Sequence, residues 1–280
     1  MKKSTRTTNV SAPIWVIFVS VLMLTVCMGC AGNKPKPHDD DVYGSRAYGY
    51  FLNGNMPLAA ETYKKGYLSA RKTDHGSGAA TYLSNIGRVF YEMGVIDSAV
   101  LYHRKAYEDF RILGDGAHAS MTAAFLALCL AASGDGDQAR EWLKTAASSA
   151  PAGRKDSEHY LAVIRGMVDC RLTGKITDES AVDAALTYYK KIKEYRMLST
   201  IYILKADNEM SKGTNAAYGY LEDAMNAIEA SGERYKRSRI LLKLATIKFK
   251  AGDDNAGKHY YERAVDCAPK GVVVPNYLEL

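Results

Sequence analysis

Six histidines, five cysteines and one glycine–aspartate run are where chemistry would first be sought in this 280-residue chain. A metal ion needs ligands spaced so that they converge on one point. His38, His75, His103, His118, His159 and His259 are scattered, and no H-x-x-x-H or C-x-x-C pair stands beyond Cys30. The run "GDGDQ" at Gly134 to Gln138 offers oxygens of the calcium-loop kind but lacks the glutamate that closes such a loop. Its aspartates suit helix starts instead. "GSGAA" at Gly76 to Ala80 follows no strand and has no lysine where a phosphate-cradling loop needs one. Nothing marks a nucleophile with its base, so no catalytic residue, metal, cofactor or small-molecule substrate is expected, and the chain is read as a non-enzyme.

The amino terminus does carry an address. Lys2, Lys3 and Arg6 stand without acids before the nearly continuous apolar run "PIWVIFVSVLMLTVCMG" from Pro13 to Gly29. That is the layout of a secretory signal segment. The run closes on "CMGC", which resembles the lipobox of bacterial lipoproteins, although Cys27 stands where leucine is usual. The resemblance implies cleavage after residue 29, a diacylglyceryl group on the Cys30 thiol and a further acyl chain on its amine. Several chains make a stable membrane anchor where one is marginal. An uncleaved single membrane helix is the alternative, since about 17 apolar residues is the lower edge of a span. "AGNKPKPHDDD", Ala31 to Asp41, cannot bury a core and is expected to be a tether, so that residues 30–41 join the anchor to the folded part.

Removing residues 1–29 takes away three cations and leaves 34 Lys and Arg against 31 Asp and Glu, or +3. That balance argues against nucleic acid as a partner. Cys129, Cys170 and Cys267 are too few and too odd in number for a disulfide framework. A Cys129–Cys170 bridge is conceivable in an oxidising compartment; buried apolar thiols are the other reading.

The element pattern follows from a repeat. Glycines recur at Gly54, Gly94, Gly134, Gly174, Gly213 and Gly252, with gaps of 40, 40, 40, 39 and 39 residues. Seven residues before them stand Ala47, Gly87, Ala127, Met167, Ala206 and Ala245, five of them small. Gly66, Ala106, Ala146 and Ala264 follow their glycines by twelve residues. Apolar residues between these markers return at helical spacing. Each unit therefore reads as helix, glycine bend, helix, with Pro151 and Pro269 where second helices should stop.

These units resemble the tetratricopeptide repeat, most closely over "YLSNIGRVFYEMGVIDSAVLYHRKAYEDF" from Tyr82 to Phe110. They depart from its common 34-residue length. The resemblance implies an all-α fold: a right-handed α–α superhelix of about six repeats over residues 42–269, with first helices lining a concave groove. "KGVVVPNYLEL", residues 270–280, is an apolar tail expected either to fold over the last helix pair or to insert into the groove or a partner.

In such arrays the inward positions fall about ten, six and three residues before the bend glycine. They select Tyr48, Phe51, Arg88, Tyr91, Leu128, Arg171, Asp207 and Phe249 as groove residues, an apolar and aromatic surface with isolated arginines. It would suit an extended or helical peptide. The expected function is a lipid-anchored periplasmic scaffold that binds an envelope protein, assisting assembly of an outer-membrane or secretion complex. Ala31 after the lipidated cysteine resembles outer-membrane sorting, with inner-membrane anchoring the alternative. A cell-wall module recruiting or regulating a peptidoglycan hydrolase is the second functional expectation.

Overall fold

The computed structural model describes residues 39–213 and 215–276. The signal segment, Cys30 and residues 31–38 of the tether lie outside the described residues, as do 277–280. No described helix is long and apolar enough to cross a membrane.

The unit from Asp39 onward is built from helical hairpins. The first pairs α1 (Asp39–Leu52) with α2 (Met56–Lys72), and the second α3 (Gly76–Glu92) with α4 (Ile96–Ile112). The third joins α5 (Gly116–Ala132) to α6 (Gly136–Ser149), and the fourth α7 (Lys155–Thr173) to α8 (Glu179–Ile192). The fifth is α9 (Tyr195–Lys212) with α10 (Ala216–Ser231); a 3₁₀ turn, Arg234–Lys236, then leads into α11 (Arg237–Lys250) and α12 (Asp254–Asp266). Among the described residues all regular elements are helical, and the fold is an α–α superhelix. Helix α1 begins inside the expected tether, because three consecutive aspartates favour a helix start.

The hairpin bends explain the glycine series. Gly54, Gly94, Gly134, Gly174, Gly213 and Gly252 each lie between the two helices of a hairpin with φ from +71° to +86°. At Gly94 the amide donates to the Tyr91 carbonyl at 3.0 Å and the Val95 amide reaches back to Phe90 at 2.9 Å. That pair of bonds satisfies carbonyls the helix end would otherwise leave bare. The turns between hairpins use the same device, with left-handed backbone at Asp74, Gly114, Gly153, Lys193, Gly232 and Gly271. A left-handed residue thus follows every helix from α1 to α12, at intervals of 19 to 21 residues, although α6 and α12 themselves end earlier, with caps at Ala150 and Cys267 just ahead of Pro151 and Pro269. Asp74 and Lys193 interrupt the second series, which is why glycine spacing alone does not display it. Asp115, Asp135, Asp178 and Asp253 then start helices by accepting an amide three residues on.

Small residues set how closely the helices approach. A Cβ on Gly87 would stand 2.8 Å from the His103 ring, and one on Gly66 would stand 2.5 Å from Tyr82. In the fourth hairpin that place belongs to Gly166, whose Cβ would meet Leu204 and Val182, and Met167 is moved aside. Equivalent buried hydrogen bonds, Ser120 to the Ala146 carbonyl at 2.7 Å and Ser238 to the Ala264 carbonyl at 2.8 Å, lock two hairpins in the same register.

The superhelix winds far enough for its ends to meet. Tyr235 packs on Phe51 with ring centroids 4.6 Å apart, within the core cluster of the first hairpin. The Lys270 amide donates to the Gly54 carbonyl at 2.8 Å, and Val272 packs against that same cluster. The start of the tail therefore seats on the first hairpin, in neither of the places expected for it. The reason is geometric: once the ends touch, an apolar strand leaving α12 meets the exposed edge of α1 and α2 before it can fold back.

His103 on α4 is fully buried, stacks on Phe125 at 5.5 Å, and has neither ring nitrogen hydrogen-bonded. Burial, helped by the charge of Arg88, lowers its pKa from 6.5 to about 3. The unfolded chain therefore binds a proton between these values that the folded chain refuses. Stability is fully present above about pH 6.5 and falls by about 1.4 kcal/mol per pH unit on acidification towards pH 3. Urea denaturation of wild type and His103→Leu from pH 7.5 to 4.5 should show a gentler acid slope in the variant.

Candidate functional site: a cavity enclosed by the first helices

Closing the superhelix converts its inner face into a cavity of about 970 Å³. Five of the expected groove residues line it: Arg88, Tyr91, Leu128, Arg171 and Asp207. The other three lie elsewhere. Phe51 is 3% exposed and seals the joint with Tyr235. Tyr48 accepts a hydrogen bond from Arg196 at 2.8 Å and borders a neighbouring cleft of about 490 Å³ that also touches Arg88. Phe249 packs against Gly257 of its own hairpin, where a Cβ would stand 2.5 Å from its ring. The inward stripe rotates along the array, so a fixed offset from the bend cannot hold for the end hairpins.

The expectation also stopped too soon. Positions thirteen residues before the glycines, Met121, Thr200 and Arg239, line the cavity, and so do Ser157, Arg196 and Tyr235 at seventeen. Apart from Tyr235, which stands on the 3₁₀ turn before α11, these continue the same helix face by one and two turns. Extending the three-and-four spacing towards the helix starts would have found them. No helical spacing could have found Glu233, Lys236 and Glu194, which enter from the turns that precede α11 and α9.

The lining mixes two chemistries. Met121, Phe125, Leu128, Ile164, Met167, Ile203 and Leu204 make part of it apolar. The remainder carries six cations, Arg88, Arg171, Arg196, Lys236, Arg239 and Lys243, and five carboxylates, Glu92, Asp156, Glu194, Asp207 and Glu233. Most are paired. Arg239 reaches across from α11 to Glu92 of α3 at 2.9 Å, Arg196 bonds Glu194 at 2.9 Å, and Lys243 pairs with Asp207. The charge of Glu92 holds the Arg239 pKa above its ordinary value. Arg171 has a neutral partner, donating to the Tyr91 hydroxyl at 3.1 Å.

The most buried pair is Lys236 with Glu233, 2.7 Å apart. Ser199 and Thr200 each bond the ammonium at 2.9 Å, and Tyr235 donates to the other Glu233 oxygen at 3.2 Å. Burial draws the Lys236 pKa down, and the Glu233 carboxylate opposes that. The network fixes the 3₁₀ turn against α9 and so presents Tyr235 to Phe51.

Cys129, Cys170 and Cys267 are free thiols. Burial pushes Cys129 up to about 12 and Cys170 to about 11, so neither supplies a thiolate near neutral pH. Among the described residues no three His, Cys, Asp or Glu side chains converge as a metal site requires.

Among the described residues twelve helices stack in hairpins around an inner cavity, an α–α superhelical fold of the tetratricopeptide type. A solved structure similar to it is "Crystal Structure of the Apo Form of RapI", which matches with a TM-score of 0.61 over 90% of this chain and 91% of that one at 8% identity. At that identity the likeness concerns the fold. No protein-family model and no curated protein matches the chain.

Replacing Glu233 by Gln leaves a buried ammonium without its counter-charge, which should cost about 3 kcal/mol or more. Adding Lys236→Met should recover most of that loss, as measured by urea denaturation of the single and double variants.

Proposed function

We propose that this protein is a lipid-anchored scaffold that faces the periplasm from the outer membrane and binds a short segment of an envelope protein in its cavity. The observation that carries the binding part is the cavity itself: about 970 Å³, lined by both apolar and charged side chains. That is the upper end of the ligand-pocket range, and convergent polar groups on an apolar surface are what orient a bound chain. Enclosure favours a terminus or a short loop over a long helix passing through, because a helix about 10 Å across would fill the space within two turns or so.

The address rests on the signal-like run, on Cys30 after a small residue, and on Ala31 following it. Acylation at Cys30 would hold the cavity within a tether's reach of the membrane and raise the local concentration of any membrane partner. Assisting the assembly of an outer-membrane or secretion complex is the role that such a tethered binder fits. Most of the charged side chains in the cavity are already paired in salt bridges, so binding is favoured over catalysis as its use.

Metabolic labelling with palmitate should mark the wild-type protein and fail to mark Cys30→Ser, which should move to the soluble periplasmic fraction; labelling that survives the substitution would refute the anchor. Photo-crosslinkers placed at Tyr91 and Ile203 should capture one and the same envelope protein. A crosslinker at Ile112, 75% exposed on the outside, should not. Capture at residue 112 alone would place the binding face elsewhere.

A further inference from the structure

Two of the cavity's six cations have no carboxylate partner, and one of these, Arg88, has no polar partner among the described residues. Four of its six cations sit in ion pairs, and Arg171 has the Tyr91 hydroxyl. Arg88 makes no hydrogen bond or ion pair among the described residues. Its guanidinium carbon instead lies over two aromatic rings, 5.5 Å from the centre of Phe51 and 5.2 Å from that of Phe125. Ring contacts of that kind cover a face of the guanidinium and leave its in-plane N–H donors for another group.

A second polar group in the same place is also without a partner. The Tyr160 hydroxyl is buried and makes no hydrogen bond. Its ring packs on Phe125 with centroids 6.3 Å apart, so Phe125 touches both groups. Arg88 and Tyr160 are near enough for the charge of one to act on the other. A buried donor left unused costs free energy that a ligand acceptor would return.

We propose that Arg88 and Tyr160 form the seat for a single carboxylate of the bound peptide, with apolar side chains of the cavity lining, Phe125 and Leu128, taking up the residue that carries it. A planar carboxylate matches the fork of a guanidinium and accepts a further hydrogen bond from a phenol. The cavity's carboxylates are already engaged, four with its own cations and Asp156 with Arg154, so the negative charge that Arg88 would meet has to come from the ligand. The inference rests on the reading of the cavity as a peptide site. The carboxylate has two possible sources, a peptide's C-terminus or an Asp or Glu side chain.

The test uses the full-length protein in phosphatidylcholine vesicles, titrated calorimetrically with three pooled hexapeptide libraries. One has free C-termini and no Asp or Glu, one has amidated C-termini with Asp and Glu present, and one is amidated and acid-free. The acid-free amidated pool should bind about tenfold more weakly than at least one of the others, and which one binds identifies the carboxylate's source. Tyr160→Phe should weaken the carboxylate pools by about three- to tenfold while leaving the melting temperature unchanged or higher, since it removes only an unbonded hydroxyl. Arg88→Met should erase the difference between pools.

Equal binding of all three pools, or no effect of Tyr160→Phe, overturns the carboxylate seat and leaves peptide binding intact. If no pool binds, the peptide reading fails, and benzoate against benzamide then decides the seat. Benzoate binding that disappears in Arg88→Met upholds it, and its absence from wild type overturns it.

Discussion

Between every two successive described helices stands a single residue with left-handed backbone, and the rest of the architecture follows from that constraint. The left-handed residue reverses the chain within about three residues. The next helix must then lie back against the last, at the distance its small residues permit. A Cβ at Gly87 or Gly66 would collide with the ring it faces, so those positions fix the approach as firmly as the turns fix the direction. No hairpin buries its apolar stripe by itself. Stability is therefore shared between neighbours, and the core forms three adjoining clusters along the array.

Closure follows from the same regularity. Units of nearly constant length stack in succession, and the sixth comes round to touch the first. What holds the joint is modest: the Phe51–Tyr235 ring contact, the Arg239–Glu92 ion pair, the Arg196–Tyr48 hydrogen bond and one backbone bond from Lys270 to Gly54. Each is small beside the burial within a hairpin. Together they turn an open inner face into a cavity, and low dielectric there makes the balance of its charges matter more than it would on an open surface. The buried Lys236–Glu233 network is tolerable in that setting because every charged atom is answered by a bonded partner. Arg88 and Tyr160 are conspicuous against that background.

The bends and the close contacts were legible in the residues. Gly94 and Gly252 announce bends because few other residues accept that backbone cheaply. Ala47, Ala127, Ala206 and Ala245 announce close approach because nothing larger fits; all four are fully buried. The fourth unit misled at Met167, since the close contact there falls one residue earlier, at Gly166, and a one-residue shift leaves no mark in composition. Five of eight expected inward residues line the cavity. Tyr48, Phe51 and Phe249 do not, for they belong to the two end hairpins, whose inner faces are taken up by the joint or by their own partner helix.

The sequence by itself determined the local rules: where each helix ends, which faces are apolar, and which helices pair, since all of these depend on residues within about 40 positions of one another. It also carries the anchor-like amino terminus, whose meaning is chemical and needs no fold. Only the tertiary structure decided that the array closes, that the tail seats on the first hairpin, and that Glu92 meets Arg239 across 147 residues. Those contacts come from small rotations summed over six units, and no single residue type encodes such a sum. The same accumulation decides which arginine in the cavity finds a carboxylate and which is left with only aromatic rings.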